Sequence, residues 1–123
     1  MAYVYDDQNV FAKILRGEIP CNKVLETEHS LAFADITPQA PVHLLVIPKG
    51  PYVCYAHFAE EASDEEIVDF TRTVGEVCRD AGVVEPGYRL ISNARQHGHQ
   101  EVPHLHVHVL GGRALGPMLH PAG

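Results

Sequence analysis

Near the C-terminus, polar and apolar positions alternate strictly: His104, His106 and His108 are interleaved with Leu105, Val107 and Val109. A period of two belongs to a β-strand, whose side chains point to opposite faces in turn. The pattern predicts a strand over Val102 to Leu110, stopped by Gly111 and Gly112, with the aliphatic residues facing a core and the histidines sharing the other face. A period of three to four governs the stretch from Ile67 through Phe70, Val74, Val77 and Cys78 to Ala81, which predicts a long amphipathic helix. Ser63 and Glu66 form its capping box and Gly82 ends it. Asn9 caps a shorter helix, Val10 to Arg16, with Phe11, Ile14 and Leu15 on its apolar side and Gly17 as its stop. Lys23 to Glu26 and Leu31 to Asp35 read as a hairpin around the polar turn Thr27 to Ser30. His43 to Ile47 and Tyr88 to Asn93 are two further strands, and Ala94 to Glu101 is a loop bearing glycine and histidine. Between Pro51 and Ala62 the periodicity is weak and supports no assignment.

One helix, three strands, a long helix and two strands define an α+β domain, an antiparallel five-stranded sheet with two helices on one side. Residues 1–123 form a single domain, in which 1–8 are a polar N-terminal extension and 113–123 a C-terminal tail. There is no internal repeat, no dinucleotide-binding fingerprint and no P-loop.

Composition narrows the function classes. A net charge of −7 disfavours long nucleic acid as a partner, which ordinarily requires a basic stripe, while leaving a single nucleotide open. No apolar run approaches the roughly 20 residues of a membrane span, and Met1 to Gln8 lack the basic and apolar regions of a secretory signal, so the expected location is cytoplasmic. Cys21, Cys54 and Cys78 are odd in number and form no Cys-x-x-Cys, which argues for free thiols.

Histidine is the commonest neutral metal ligand, and three on one face raise a zinc site as a first possibility. On a straight strand, however, positions i and i+4 are about 13 Å apart, so two of these histidines could share an ion but all three could not. The other chemistry open to such a row is nucleophilic. A central imidazole whose second nitrogen is held in place can attack phosphorus, while its neighbours stabilise the phosphoryl oxygens. His106 has the central place.

The alternating motif, together with Phe11 to Pro20, Leu31 to Lys49, Gly87 to Asn93 and Gly111 to Arg113, resembles the histidine triad nucleotide-binding family, most closely its Hint branch. The resemblance implies a homodimer whose sheets join into one, and hydrolysis of purine nucleoside phosphoramidates through a nucleotidyl-histidine intermediate, without metal or other cofactor. It implies His106 as nucleophile, His108 at the α-phosphate, and His104 and His43 as the groups that orient the site. Asp35 resembles the acid that accepts the ribose hydroxyls, and Phe11, Phe33 and Ile36 the walls of the base pocket, with Ile14 and Leu45 beside them. Asn93, Gln100 and Val102 match positions on the phosphate side. His29, His57, His97, His99 and His120 match no functional position, and solvent-exposed roles are expected for them.

Two departures from the branch bear on chemistry. Glu101 stands where a well-known part of the branch has a serine that helps protonate the leaving amine; an ionised carboxylate there would repel the substrate phosphate, so it must point away or be protonated. Ala12 and a lone Cys21 remove the cysteines that some members carry near the first helix. Two alternatives remain beside phosphoramidate hydrolysis: dinucleoside polyphosphate hydrolysis with the same triad, and a nucleotide-binding adaptor with vestigial activity.

Overall fold

The computed structural model describes residues 2–119. Helix α1 (Val10–Leu15) begins where the Asn9 side chain accepts the Ala12 N–H at 2.9 Å, and it ends at Gly17, whose φ of +78° a side chain would resist. Strands β1 (Lys23–Glu26), β2 (Ser30–Ala34) and β3 (Val42–Pro48) follow as an antiparallel meander. Helix α2 (Tyr55–Glu61) occupies the stretch whose weak periodicity supported no assignment. It makes a third helix. One anchor is tertiary, Phe58 in the core, and one is local, the buried His57 accepting the Val53 N–H through Nδ1 at 2.9 Å. The solvent-exposed role expected of His57 is therefore wrong.

Helix α3 (Asp64–Asp80) starts at the expected capping box, Glu66 N–H donating to Ser63 Oγ at 3.1 Å and Ser63 N–H to Glu66 Oε1 at 3.0 Å. Strands β4 (Arg89–Ile91) and β5 (Val107–Gly111) complete a five-stranded antiparallel sheet of order β1-β2-β3-β5-β4. The expected strand from Val102 is shorter at its start. Pro103 has no N–H to give a ladder, and His104 N–H turns back to the Val102 carbonyl at 2.8 Å, so pairing begins only at Val107.

Both faces of the sheet are apolar. Ala32, Val46, Leu105, Val107 and Val109 pack with Phe58, Phe70 and Val77 on the face covered by α2 and α3. Leu31, Phe33, Leu45 and Ile47 pack with Phe11 of α1 on the other. Helices therefore lie on both sides rather than one, because β2 and β3 are continuous apolar runs and not half-polar alternations. The alternation in the histidine motif survives the shortened strand: Leu105, Val107 and Val109 enter the first core, and Phe11 lies edge-on to both His104 and His106 from the other side. Among the described residues, no helix is long and apolar enough to cross a membrane.

Candidate active site

Antiparallel register puts Leu45 opposite His108 and His43 opposite Leu110, so His43 and His108 stand on neighbouring strands of the same face. Their rings are 5.1 Å apart between centroids, as are those of His106 and His108. Hydrogen bonds then decide which nitrogen of each ring carries a proton. His43 Nδ1 accepts the Gln39 N–H at 3.0 Å, which leaves the proton on Nε2. That Nε2–H faces His108 Nδ1 at 2.9 Å and the Asp35 carboxylate at 3.3 Å. With Nδ1 accepting from His43, His108 carries its own proton on Nε2. It is a donor to the cavity.

The nucleophile candidate has the opposite tautomer. His106 Nδ1 lies 2.7 Å from the His104 carbonyl, which can only accept, so Nδ1 bears the proton and the Nε2 lone pair is free. Among the described residues, Nε2 has no hydrogen-bond partner. His104 is fully buried behind it, donating Nε2–H to the Pro48 carbonyl at 2.8 Å and accepting the Tyr5 hydroxyl at Nδ1, 2.6 Å away. The Ser92 hydroxyl holds the His106 carbonyl at 3.0 Å. The His106 ring is thus held at Nδ1 and its peptide at the carbonyl.

Burial keeps these imidazoles neutral. It pushes His104 down to about 4, against the pull of the Pro48 carbonyl, and lowers His106, against that of the His104 carbonyl. Burial, then the neighbouring His106 and His43, bring His108 to about 4. A neutral His106 is a nucleophile, and a neutral His108 still donates through Nε2–H.

These groups open onto a cavity of about 620 Å³, lined by Phe11, Phe33, Asp35, Ile36, Asn93, Val102, His106 and His108 among the residues expected there. Ile14 and Leu45 also line it. Phe11 and Phe33 meet edge to face at 5.6 Å. Ile36 stands at the rim, 95% exposed, an apolar surface with no cover of its own. Asp35 accepts the Thr37 N–H through Oδ1 at 2.8 Å and keeps further acceptor capacity toward the cavity. His43 and His104 sit behind the lining, as supporting groups would.

Gln100 is a different case. Its amide donates to the carbonyls of Val53 at 2.7 Å and Val102 at 3.0 Å and accepts the Arg95 N–H at 2.9 Å, so the side chain staples the loop and does not line the cavity. The phosphate-side role expected of its side chain is not what this geometry offers. His99, given no role from sequence, does line the cavity, paired at 3.3 Å with Glu101. Glu101 lines the same cavity with its side chain 80% exposed, and its carboxylate is near enough to act on His106 and His108, raising the pKa of each against burial. His120 lies outside the described residues. Tyr5, Ser92 and Gln39 were invisible in sequence, since their partners are distant or belong to the backbone. For a divalent ion, Asp35, His43 and His108 offer ligand atoms within 4.8 Å of one another, at the expense of the His43–His108 hydrogen bond.

A five-stranded antiparallel sheet that sets a row of histidines behind and along one cavity wall defines a histidine triad fold. The chain belongs to the HIT family, whose HIT domain matches residues 16–115, and it is a HIT family hydrolase. It is 63% identical over 119 residues to an uncharacterized 13.2 kDa HIT-like protein of Azospirillum brasilense, covering 97% of this chain and 98% of that one. Against the purine nucleoside phosphoramidase of Escherichia coli the identity is 40% over 113 residues, 92% of this chain and 94% of the other. Among solved structures, the HIT family hydrolase from Clostridium thermocellum superposes with a TM-score of 0.82 at 38% identity, covering 93% of this chain and 98% of that one.

Proposed function

We propose that this hydrolase cleaves the P–N bond of purine nucleoside phosphoramidates, with His106 as a covalent nucleophile. The observation that carries the reading is the tautomer of His106: Nδ1–H is tied to a carbonyl at 2.7 Å, and the Nε2 lone pair is left for the cavity. Attack by Nε2 on the α-phosphorus forms a new P–N bond while the substrate P–N bond breaks, and the departing amine leaves with its electron pair and takes up a proton from solvent, which the later attack of water returns. The imidazole becomes cationic as it forms that bond, and the His104 carbonyl stabilises the charge at Nδ1. His108 Nε2–H donates to a phosphoryl oxygen as negative charge grows there. Water then attacks phosphorus, the bond to Nε2 breaks, and the nucleoside monophosphate is released with His106 restored.

The rest of the cavity suits the rest of the substrate. Asp35 has acceptors for the two ribose hydroxyls, and Phe11, Phe33 and the uncovered Ile36 offer apolar surface to a purine. The 40% identity to a purine nucleoside phosphoramidase supports the same reaction class.

His106→Ala is expected to abolish release of AMP from adenosine 5′-phosphoramidate while changing AMP affinity by less than about tenfold. Mass spectrometry of wild-type protein quenched during turnover should find the nucleotidyl adduct on His106. Undiminished AMP release by the alanine variant would overturn the mechanism, and a higher kcat/KM on diadenosine polyphosphates would move the assignment to that substrate class.

A further inference from the structure

Residues 2–9, ahead of α1, form neither helix nor strand, yet side chains there alternate: Tyr3 and Tyr5 are half-buried and Val4 between them is 85% exposed. Tyr3 stacks on the His57 imidazole, with centroids 4.4 Å apart and planes 9° from parallel, and the Arg95 guanidinium lies 5.5 Å over the Tyr3 ring. Tyr5 reaches the triad. Its hydroxyl donates to His104 Nδ1 at 2.6 Å and its ring meets that imidazole edge-on at 5.6 Å. Burial raises the Tyr5 pKa, so the group remains an O–H donor. At the far end of the segment, Asn9 Nδ2 and Arg16 Nη1 hold the carbonyls of Asp6 and Asp7, each at 2.7 Å. The first residues are a strap across the back of the site, not a solvated extension.

Residue 104 joins this strap to the chemistry. It lies before the β5 ladder, in the tight turn after Pro103, so no strand pairing holds its peptide. Its N–H donates to the Val102 carbonyl and the Leu105 N–H, in the same peptide as the His104 carbonyl, donates to the Tyr52 carbonyl, each at 2.8 Å; its ring adds two side-chain anchors, the Tyr5 hydroxyl and the Pro48 carbonyl. The His104 carbonyl is in turn the group that binds His106 Nδ1–H and leaves Nε2 free.

We propose that Tyr5 is a positioning residue for the nucleophile: its hydroxyl locks the His104 ring, and through it the peptide carbonyl that orients His106. This rests on the reading of His106 as the attacking group. Loss of the hydroxyl leaves a fully buried Nδ1 without a donor; Nε2–H stays on the Pro48 carbonyl, and the ring, held at one nitrogen instead of two, is free to tilt about that bond. A small misplacement of a reacting group is costly to rate and nearly neutral to substrate binding.

Tyr5→Phe keeps the ring contact and removes only the donor. On adenosine 5′-phosphoramidate its kcat is expected to fall about tenfold with KM within about twofold of wild type. Nitrogen-15 spectra of the imidazoles should show His104 as the Nε2–H tautomer and His106 as the Nδ1–H tautomer in wild type, with the His104 Nδ1 signal shifting in Tyr5→Phe as it loses its donor. Tyr3→Leu removes the other anchor without touching His104, and is expected to lower Tm while keeping wild-type kcat. A merely structural strap would make both variants alike, with lower Tm and unchanged kcat, and would sink the proposal. The spectra need no substrate. Absence of phosphoramidate turnover in wild type would therefore overturn the proposed activity and not the hydrogen-bonded chain, whereas unchanged imidazole shifts in Tyr5→Phe overturn the chain itself.

Discussion

His104, His106 and His108 have the same side chain and three different jobs, and the difference lies in which nitrogen each can use. His106 exposes a lone pair, His108 an N–H, and His104 neither, since both its nitrogens are taken by Tyr5 and Pro48. Their burial has a consequence for stability. His104 and His108 fall from the ordinary imidazole value of 6.5 to about 4 in the folded protein, so between those values the unfolded chain binds protons that the native site refuses. Their neutral forms cost the fold nothing above pH 6.5, and stability declines as the pH falls from 6.5 toward 4. Thermal melts across that range should show Tm dropping, and His104→Gln should flatten the slope. Glu26, held to about 2 by Lys23 and then Lys49, acts in a separate window below 4.5. The acid limb of kcat/KM should likewise fall below pH 6.5, because burial lowers His106 itself. The central place of His106 was legible from alternation alone, but its tautomer was not.

At the scale of elements, local signals did well where the local energy decides. The Asn9 cap, the Ser63–Glu66 box and the glycine stops all stand where the sequence puts them. Ser63→Ala should therefore cost about 1 kcal/mol, read as a fall in Tm of about 4 °C without loss of activity at 25 °C. Helix α2 escaped such reading because its local signals are weak: its N-cap Cys54 makes no side-chain bond, His57 accepting the Val53 N–H stands in for a cap, and Phe58 in the core and Tyr3 stacked on His57 hold it from distant parts of the chain. The start of β5 escaped for a related reason. Alternation continues through Pro103 in the sequence, while ladder pairing needs donors that Pro103 and the inward-turned His104 N–H do not supply.

At the scale of the whole molecule, two sheet edges remain, and they differ. The β1 edge carries Lys23 and Glu26 in an ion pair, a charged border that discourages strand addition, whereas β4 presents Leu90, 45% exposed, beside an exposed Tyr88. The expected homodimer would form along β4. Sedimentation should then give twice the 13.5 kDa chain mass, and Leu90→Lys should shift it toward the monomer; a wild-type monomer at micromolar concentration would refute the dimer. The sequence by itself determined the class of fold, the face on which each motif residue stands and the identity of the central histidine, since periodicity and caps depend on neighbours within one or two turns of chain. Tertiary structure alone decided the cavity, the anchoring of Gln100 to the Val53 carbonyl and the tautomers of His104 and His108. The partners that set the tautomers of His104 and His108 lie 99, 56 and 65 residues away, whereas His106 takes its tautomer from the carbonyl two residues before it; in each case the proton is placed by the group that the fold brings to hydrogen-bond distance.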